Sequence, residues 1–206
     1  MVVTTADCVR ASGPTGAFYQ NWAFAPGFHD GQTPYGIWPA CGLQVTPGWT
    51  EAENAAQDVG FAILNPLDGH HLTDVVGDQT PWFRGDPFPE PPSLTVYSFG
   101  YLDGQATDDQ TADDQGTASD QARATGLGYC SGATTNDGMG EDLRVISCYR
   151  GGNTTGGPWF RNFDRDTGRG HLFCVSNWIP ADDPYSIRCA PLGQSAKRIY
   201  ESAQES

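Results

Sequence analysis

Along most of this chain apolar residues alternate with polar ones or gather in short runs, the pattern of half-buried and fully buried strands. Residues 17–24 alternate aromatic and polar side chains and read as a strand. Residues 35–41, 43–45, 59–64, 94–101, 143–148, 159–163, 171–178 and 187–190 read as further strands. Helical spacing is rare. Residues 50–57 have weak helical character, with Thr50 as the expected cap. Residues 193–206 place Ala196, Ile199, Tyr200 and Ala203 at i, i+3, i+4 and i+7, which predicts an amphipathic helix. Residues 10–16, 26–34 and 164–170 are turn and loop material, and 72–77 form a short segment that closes the first half. Four prolines within 85–92 fix φ and withhold amide donors, so a linker is expected between two strand-rich halves.

Composition narrows the function classes. The 206 residues suffice for one sizeable domain or two small ones. No apolar run is long enough for a membrane-crossing helix, and a net charge of −14 argues against nucleic acid and anionic membranes as partners. The six cysteines, Cys8, Cys41, Cys130, Cys148, Cys174 and Cys189, show no Cys-x-x-Cys spacing. His29, His70, His71 and His171 form no ligand pattern with them, so neither a metal site nor a cofactor is expected. An even cysteine count in a chain rich in Gly and Pro predicts disulfides and an oxidising compartment. Segment 103–125 is poor in hydrophobes and crowded with Asp108, Asp109, Asp113, Asp114 and Asp120, and is expected to be a solvated, disordered insert. A calcium- or surface-binding role for this insert is the rival reading, although its spacing does not match an EF-hand loop.

One stretch carries chemistry: Gly151-Gly152-Asn153-Thr154-Thr155-Gly156-Gly157-Pro158-Trp159-Phe160 is a glycine-rich turn opening into an apolar strand. It resembles the nucleophile loop Gly-x-Ser-Gly-Gly-Pro of trypsin-like (chymotrypsin-fold) serine peptidases, with Thr155 at the serine position. Residues 2–9, Val-Val-Thr-Thr-Ala-Asp-Cys-Val, resemble the segment that carries that family's histidine base, with Asp7 at the histidine position. Residues 57–64, Gln-Asp-Val-Gly-Phe-Ala-Ile-Leu, resemble the strand of the triad aspartate, which Asp58 retains. Residues 28–38, Phe-His-Asp-Gly-Gln-Thr-Pro-Tyr-Gly-Ile-Trp, are similar to a segment of secreted bacterial, particularly actinobacterial, members.

The resemblance implies an all-β, chymotrypsin-like double β-barrel with a C-terminal helix. Residues 1–84 would be the remainder of the first barrel and 85–93 the linker. Residues 94–206 would be the second barrel, with the insert 103–125 and the helix 193–206. In that family further strands precede the base motif, and the expectation is a start codon assigned too late, with a decaying gene or a separately made segment as rivals. Taken as given, the first barrel would carry an open edge. The resemblance further implies a Cys130–Cys148 disulfide, with Cys174–Cys189 as the neighbouring local pair. Cys8 and Cys41 are left either as a third pair or as free thiols. Asn153 and Thr155 would form the oxyanion hole, Tyr149 would line the primary pocket, and Ser176, Asn177 and Trp178 would pair with substrate backbone.

The departures from the family pattern fall on the chemistry. A carboxylate, with an ordinary pKa near 3.9, is a poor replacement for an imidazole near 6.5, and Asp7 beside Asp58 sets like charges together. That predicts a raised pKa for one of them, a trapped water or a bound cation. Thr155 adds a methyl group that restricts χ1 and crowds the hole. Asn153 narrows the turn, and Tyr149 fills the pocket. Loss of a base or nucleophile costs on the order of 10⁶ in turnover. The expectation is therefore a secreted serine-peptidase homologue without catalysis, binding a peptide or protein through its cleft. The alternative is an active endopeptidase working through Thr155.

Overall fold

The computed structural model describes residues 1–13, 15–86, 93–101, 127–136, 144–148, 155–179, 183 and 185–204. Tyr149, Asn153, the insert 103–125 and most of the expected 85–93 linker lie outside them.

Among the described residues the chain builds two curled, mainly antiparallel sheets. The first contains β1 (Val2–Thr4), β2 (Ala23–Phe24), β3 (Trp38–Val45) and β4 (Gly60–Leu64), in the order β1-β4-β3-β2. The second contains β6 (Thr95–Tyr101), β7 (Leu127–Ala133), β8 (Thr135–Asn136), β9 (Arg144–Ser147), β10 (Pro158–Asp164), β11 (Arg169–Trp178) and β12 (Ser186–Pro191), in the order β7-β6-β10-β11-β12-β9-β8. A two-residue strand, β5 (Thr80–Pro81), adds to β11 in parallel. With α3 (Gln194–Gln204) at the C-terminal end, this is a chymotrypsin-like double β-barrel.

Two cores explain the strand patterns. Trp82, Leu94, Val96, Ile146, Trp159, Phe173 and Ile187 fill the second barrel, together with both half-cystines of each bridge. Val59, Phe61, Phe83, Phe160, Leu172, Val175, Ala190, Leu192 and Ala196 form the other cluster, which joins the first sheet, the second sheet and α3. Strand β11 is buried over most of its length because it serves both clusters, and so it reads as a continuous apolar run instead of an alternation. Among the described residues no helix is long and apolar enough to cross a membrane.

Several sequence expectations are corrected. Residues 17–24 are not one strand: only Ala23–Phe24 pairs regularly, while Phe18 makes an isolated bridge to Arg10. Their aromatic alternation comes from side chains on the surface, and Phe18 and Tyr19 are exposed. Residues 35–37 lie outside the strand that begins at Trp38, because Gly36 takes a φ of +80° and turns the chain there. From Trp38 to Val45 the chain is a single strand, with a register shift between Ala40 and Gly42 where two segments were expected. Thr50 is not a cap. The helix α1 (Pro47–Ala52) starts earlier, with Thr46 at the N-cap and Pro47 in its first turn, where a missing N–H costs nothing. A separate 3₁₀ turn, Ala55–Gln57, follows. The short segment after His71 is a helix, α2 (Leu72–Val76). Cys8 and Cys41 do not form a third bridge; both are free thiols. The other two bridges, Cys130–Cys148 and Cys174–Cys189, are formed.

Candidate active site

The turn after β1 is wound tightly: the amides of Cys8, Val9 and Arg10 donate to the carbonyls of Thr5, Ala6 and Ala6 at 3.3, 3.1 and 2.9 Å. This leaves the N–H groups of Ala6 and Asp7 pointing out of the turn. Both are taken by Asp58, whose Oδ1 accepts from Ala6 at 2.8 Å and from Asp7 at 3.4 Å. Asp58 reaches them because it ends the 3₁₀ turn, which Asn54 caps by accepting from the Ala56 amide. Asp58 is 4% exposed.

That burial has an electrostatic consequence. Desolvation, and after it the Asp7 carboxylate, push the Asp58 pKa up to about 7, against the opposing pull of the Ala6 and Asp7 amides. The raised pKa expected within this acidic pair is found at Asp58. Asp7 Oδ1 is itself buried, with no hydrogen-bond partner among the described residues. The site thus sets two acidic groups together in a desolvated turn.

Thr155 opens the loop into β10, and the next residue, Gly156, has a φ of +82°. A Cβ at Gly156 would overlap Thr4 Oγ1 and lie 3.6 Å from Cys8 Sγ, so the Thr155 loop is pressed against the turn that carries Asp7. Two main-chain bonds fix the loop to β11: Gly156 N–H to Ser176 O at 2.7 Å and Ser176 N–H to Gly157 O at 2.8 Å. Ser176 Oγ accepts from Trp159 Nε1 at 2.7 Å, so its side chain points into the barrel. Asn177 Nδ2 donates to Ala55 O at 2.9 Å, tying β11 to the 3₁₀ turn before Asp58. Trp178 is 46% exposed and carries the Arg188 guanidinium 4.5 Å from its ring centroid. The sequence reading gave Arg188 no part in the site. Its place follows from the pairing of Arg188 with Trp178 between β12 and β11, which only the register reveals.

Asp7, Asp58 and the Thr155 loop therefore meet at one place, beside the strand that ends in Ser176, Asn177 and Trp178. Tyr149 and Asn153 lie outside the described residues. His29, His70, His71 and His171 are all exposed in turns or at a strand end, and none joins this cluster. Among the described residues no group of His, Cys, Asp or Glu is placed to hold a metal ion. General-base chemistry needs an acceptor near neutral pKa aimed at the hydroxyl, and the Oδ1 of Asp58 is directed at amides instead.

No protein-family model matches the chain, and no curated protein matches it. Solved structures do. The protease Anisep from Arthrobacter nicotinovorans superposes with a TM-score of 0.78 at 27% identity, over 99% of this chain and 83% of that one. The thermostable serine protease AL20 from an extremophilic microorganism gives 0.78 at 23% identity, over 99% and 84%. A Glu endopeptidase gives 0.69 at 13%, over 99% and 80%. The last two are likenesses of fold alone. Taken with the two barrels, these likenesses lead to one conclusion: this chain has the chymotrypsin/trypsin fold of bacterial serine proteases.

Proposed function

We propose that the chain is a serine-peptidase homologue that has lost catalysis and binds a peptide or protein along the cleft edge at Ser176, Asn177 and Trp178. The observation that carries this reading is the pairing of Asp7 with a buried Asp58 whose pKa is raised to about 7. In a working triad the aspartate is ionised and stabilises an imidazolium. Here the aspartate position is buried and holds its proton more tightly than an ordinary carboxyl, and its neighbour is another acid. Asp58 is not placed as an imidazole would be, since its Oδ1 accepts from the Ala6 and Asp7 amides. Thr155 adds a β-methyl beside Gly156, whose own Cβ position is closed by Thr4. The main-chain bonds from Gly156 and Gly157 to Ser176 support a cleft that keeps its shape for binding. The two disulfides and the similarity to bacterial proteases support an extracellular protein.

The test is a fluorophosphonate probe with intact mass as the readout, applied to the wild type and to Asp7→His/Thr155→Ser. The expected result is no adduct on the wild type and one adduct on the double variant, mapped to position 155. An adduct on wild-type Thr155 would overturn the reading and make this an active endopeptidase with an unusual triad. An unlabelled double variant would overturn the intact cleft.

A further inference from the structure

The second barrel holds a cation with no acid paired to it among the described residues. Arg161 lies in the middle of β10, where its register partners are Val96 on β6 and His171 on β11. Residues opposite one another in paired strands point to the same face. The Arg161 side chain therefore leaves the sheet beside His171, on the face where Val96 enters the second core. Trp82 reaches the same place from the chain that follows β5, and its amide donates to Leu172 O at 2.8 Å. The Arg161 guanidinium stacks on the Trp82 ring, with its central carbon 4.7 Å from the ring centroid. Neither partner has its hydrogen bonds. Arg161 Nη1 and Trp82 Nε1 are both buried donors with no acceptor among the described residues, and Trp82 is only 8% exposed. Asp78, just before β5, pairs with Arg169 instead, at 3.9 Å.

The stack explains where the guanidinium sits but not how it is satisfied. A cation over an aromatic face is held by the quadrupole of the ring, yet that contact uses none of the N–H donors of the guanidinium. The chain has 25 Asp and Glu against 11 Lys and Arg, so an arginine without a carboxylate is not a matter of supply. Buried donors left unpaired are costly, the more so on a charged group. Nε and Nη2 are not shut in with Nη1, so one edge of the fork reaches the surface, next to exposed His171. An arginine fixed by stacking presents a planar, pre-set pair of donors, which matches the two oxygens of a carboxylate. A neutral ligand would leave the charge unpaired, and a cation would be repelled. We propose that Arg161, braced on Trp82 and flanked by His171, is a binding site for a carboxylate group of a separate molecule. His171 is third along β11 and Trp178 is last. The site therefore stands at the opposite end of that strand from the Ser176–Trp178 edge, and it does not depend on whether Thr155 is reactive.

The readout is the indole N–H resonance of Trp82, identified by its loss in Trp82→Phe. The full chain, in chloride-free buffer, is titrated with three probes: glutarate, glutaramide of the same shape without charge, and a capped Gly-Glu-Gly peptide. Glutarate and the Glu peptide should shift the resonance saturably in the millimolar range, and glutaramide should leave it in place. The tighter of the two acids tells a free small acid from an acidic side chain. Arg161→Gln should abolish the shift. Arg161→Lys keeps the charge and loses the fork, and should weaken binding at least about tenfold. The comparison with glutaramide uses the wild-type chain, so the proposal can fail even where a variant does not fold. No shift by either acid would overturn it, as would an equal shift by glutaramide or unchanged binding by Arg161→Gln. Wild-type affinity in Arg161→Lys would overturn the fork, and an equal shift by sodium chloride would overturn carboxylate recognition in favour of an unselective anion site.

Discussion

At the scale of single residues, Asp58 makes the sharpest claim, because its raised pKa ties the candidate site to stability. An acid whose folded pKa exceeds its unfolded value holds its proton more tightly when folded. Its contribution is fully present below about pH 4 and is lost progressively as pH rises to about 7. This is the reverse of a salt-bridged carboxylate such as Asp86, whose pKa is lowered by its bond to Lys197. Asp58→Asn keeps an oxygen for the Ala6 amide and removes the charge. The difference between wild-type and variant unfolding free energies, measured in urea from pH 4 to 8, should change by a few kcal/mol in favour of the variant as pH rises. A flat difference would mean that Asp58 ionises normally. Asp7→Asn removes the like charge, so it should lower the Asp58 pKa and stabilise the protein at pH 8 by about 1 kcal/mol. Asp7 and Asp58 were legible in the sequence as a pair of acids in contact, since both stand in motifs of known order. The sequence left open which of them is perturbed, because that depends on which side chain is buried and where the Ala6 and Asp7 amides point.

At the scale of elements, the nucleophile loop shows how closely two motifs far apart in sequence depend on each other. Gly156 needs a left-handed φ and, independently, an empty Cβ position against Thr4. Gly156→Ala should cost at least about 2 kcal/mol, the sum of backbone strain and overlap. Adding Thr4→Ala removes the overlap and leaves the strain, so the double variant should recover part of the loss, read as a coupling in a double-mutant cycle. Additive losses would place Thr4 out of reach of the loop. The same comparison explains what the sequence could and could not deliver. The strands β4, β6, β10, β11 and β12 were legible because each holds an uninterrupted apolar or alternating pattern and packs into one or both of the two cores. Residues 17–22 and 35–37 were not, because their aromatics sit on the surface and turns set their course, whereas the loop over 26–34 was legible. Positive φ at Asn21, Asp30, Gly31 and Gly36 marks those turns. Arg188 was invisible for a different reason: its position beside Trp178 is a matter of strand register, which no local pattern encodes.

At the scale of the whole molecule, both disulfides lie in one half. Cys130–Cys148 and Cys174–Cys189 lie within the second core, while the first half holds only the free Cys8, in the turn after β1, and Cys41, in β3. Taken alone, that asymmetry predicts a first half that unfolds separately and is indifferent to reductant. The shared cluster argues otherwise. Val59 and Phe61 from the first sheet pack with Phe160, Leu172 and Val175 from the second and with Ala196 from α3, so neither half can open without exposing the other's apolar surface. Replacing Cys174 and Cys189 by alanine removes a cross-link with a sequence separation of 15, worth about 3 kcal/mol on a chain-entropy basis. The expected outcome is one transition moved to lower temperature, with amide exchange accelerated by the same factor in β4 as in β11. Two transitions, with β4 unmoved, would show that the shared cluster does not couple the halves. Thiol labelling gives the matching chemical count. The unreduced, unfolded chain should react at two cysteines, and the folded chain should react rapidly at exposed Cys41 and slowly at half-buried Cys8.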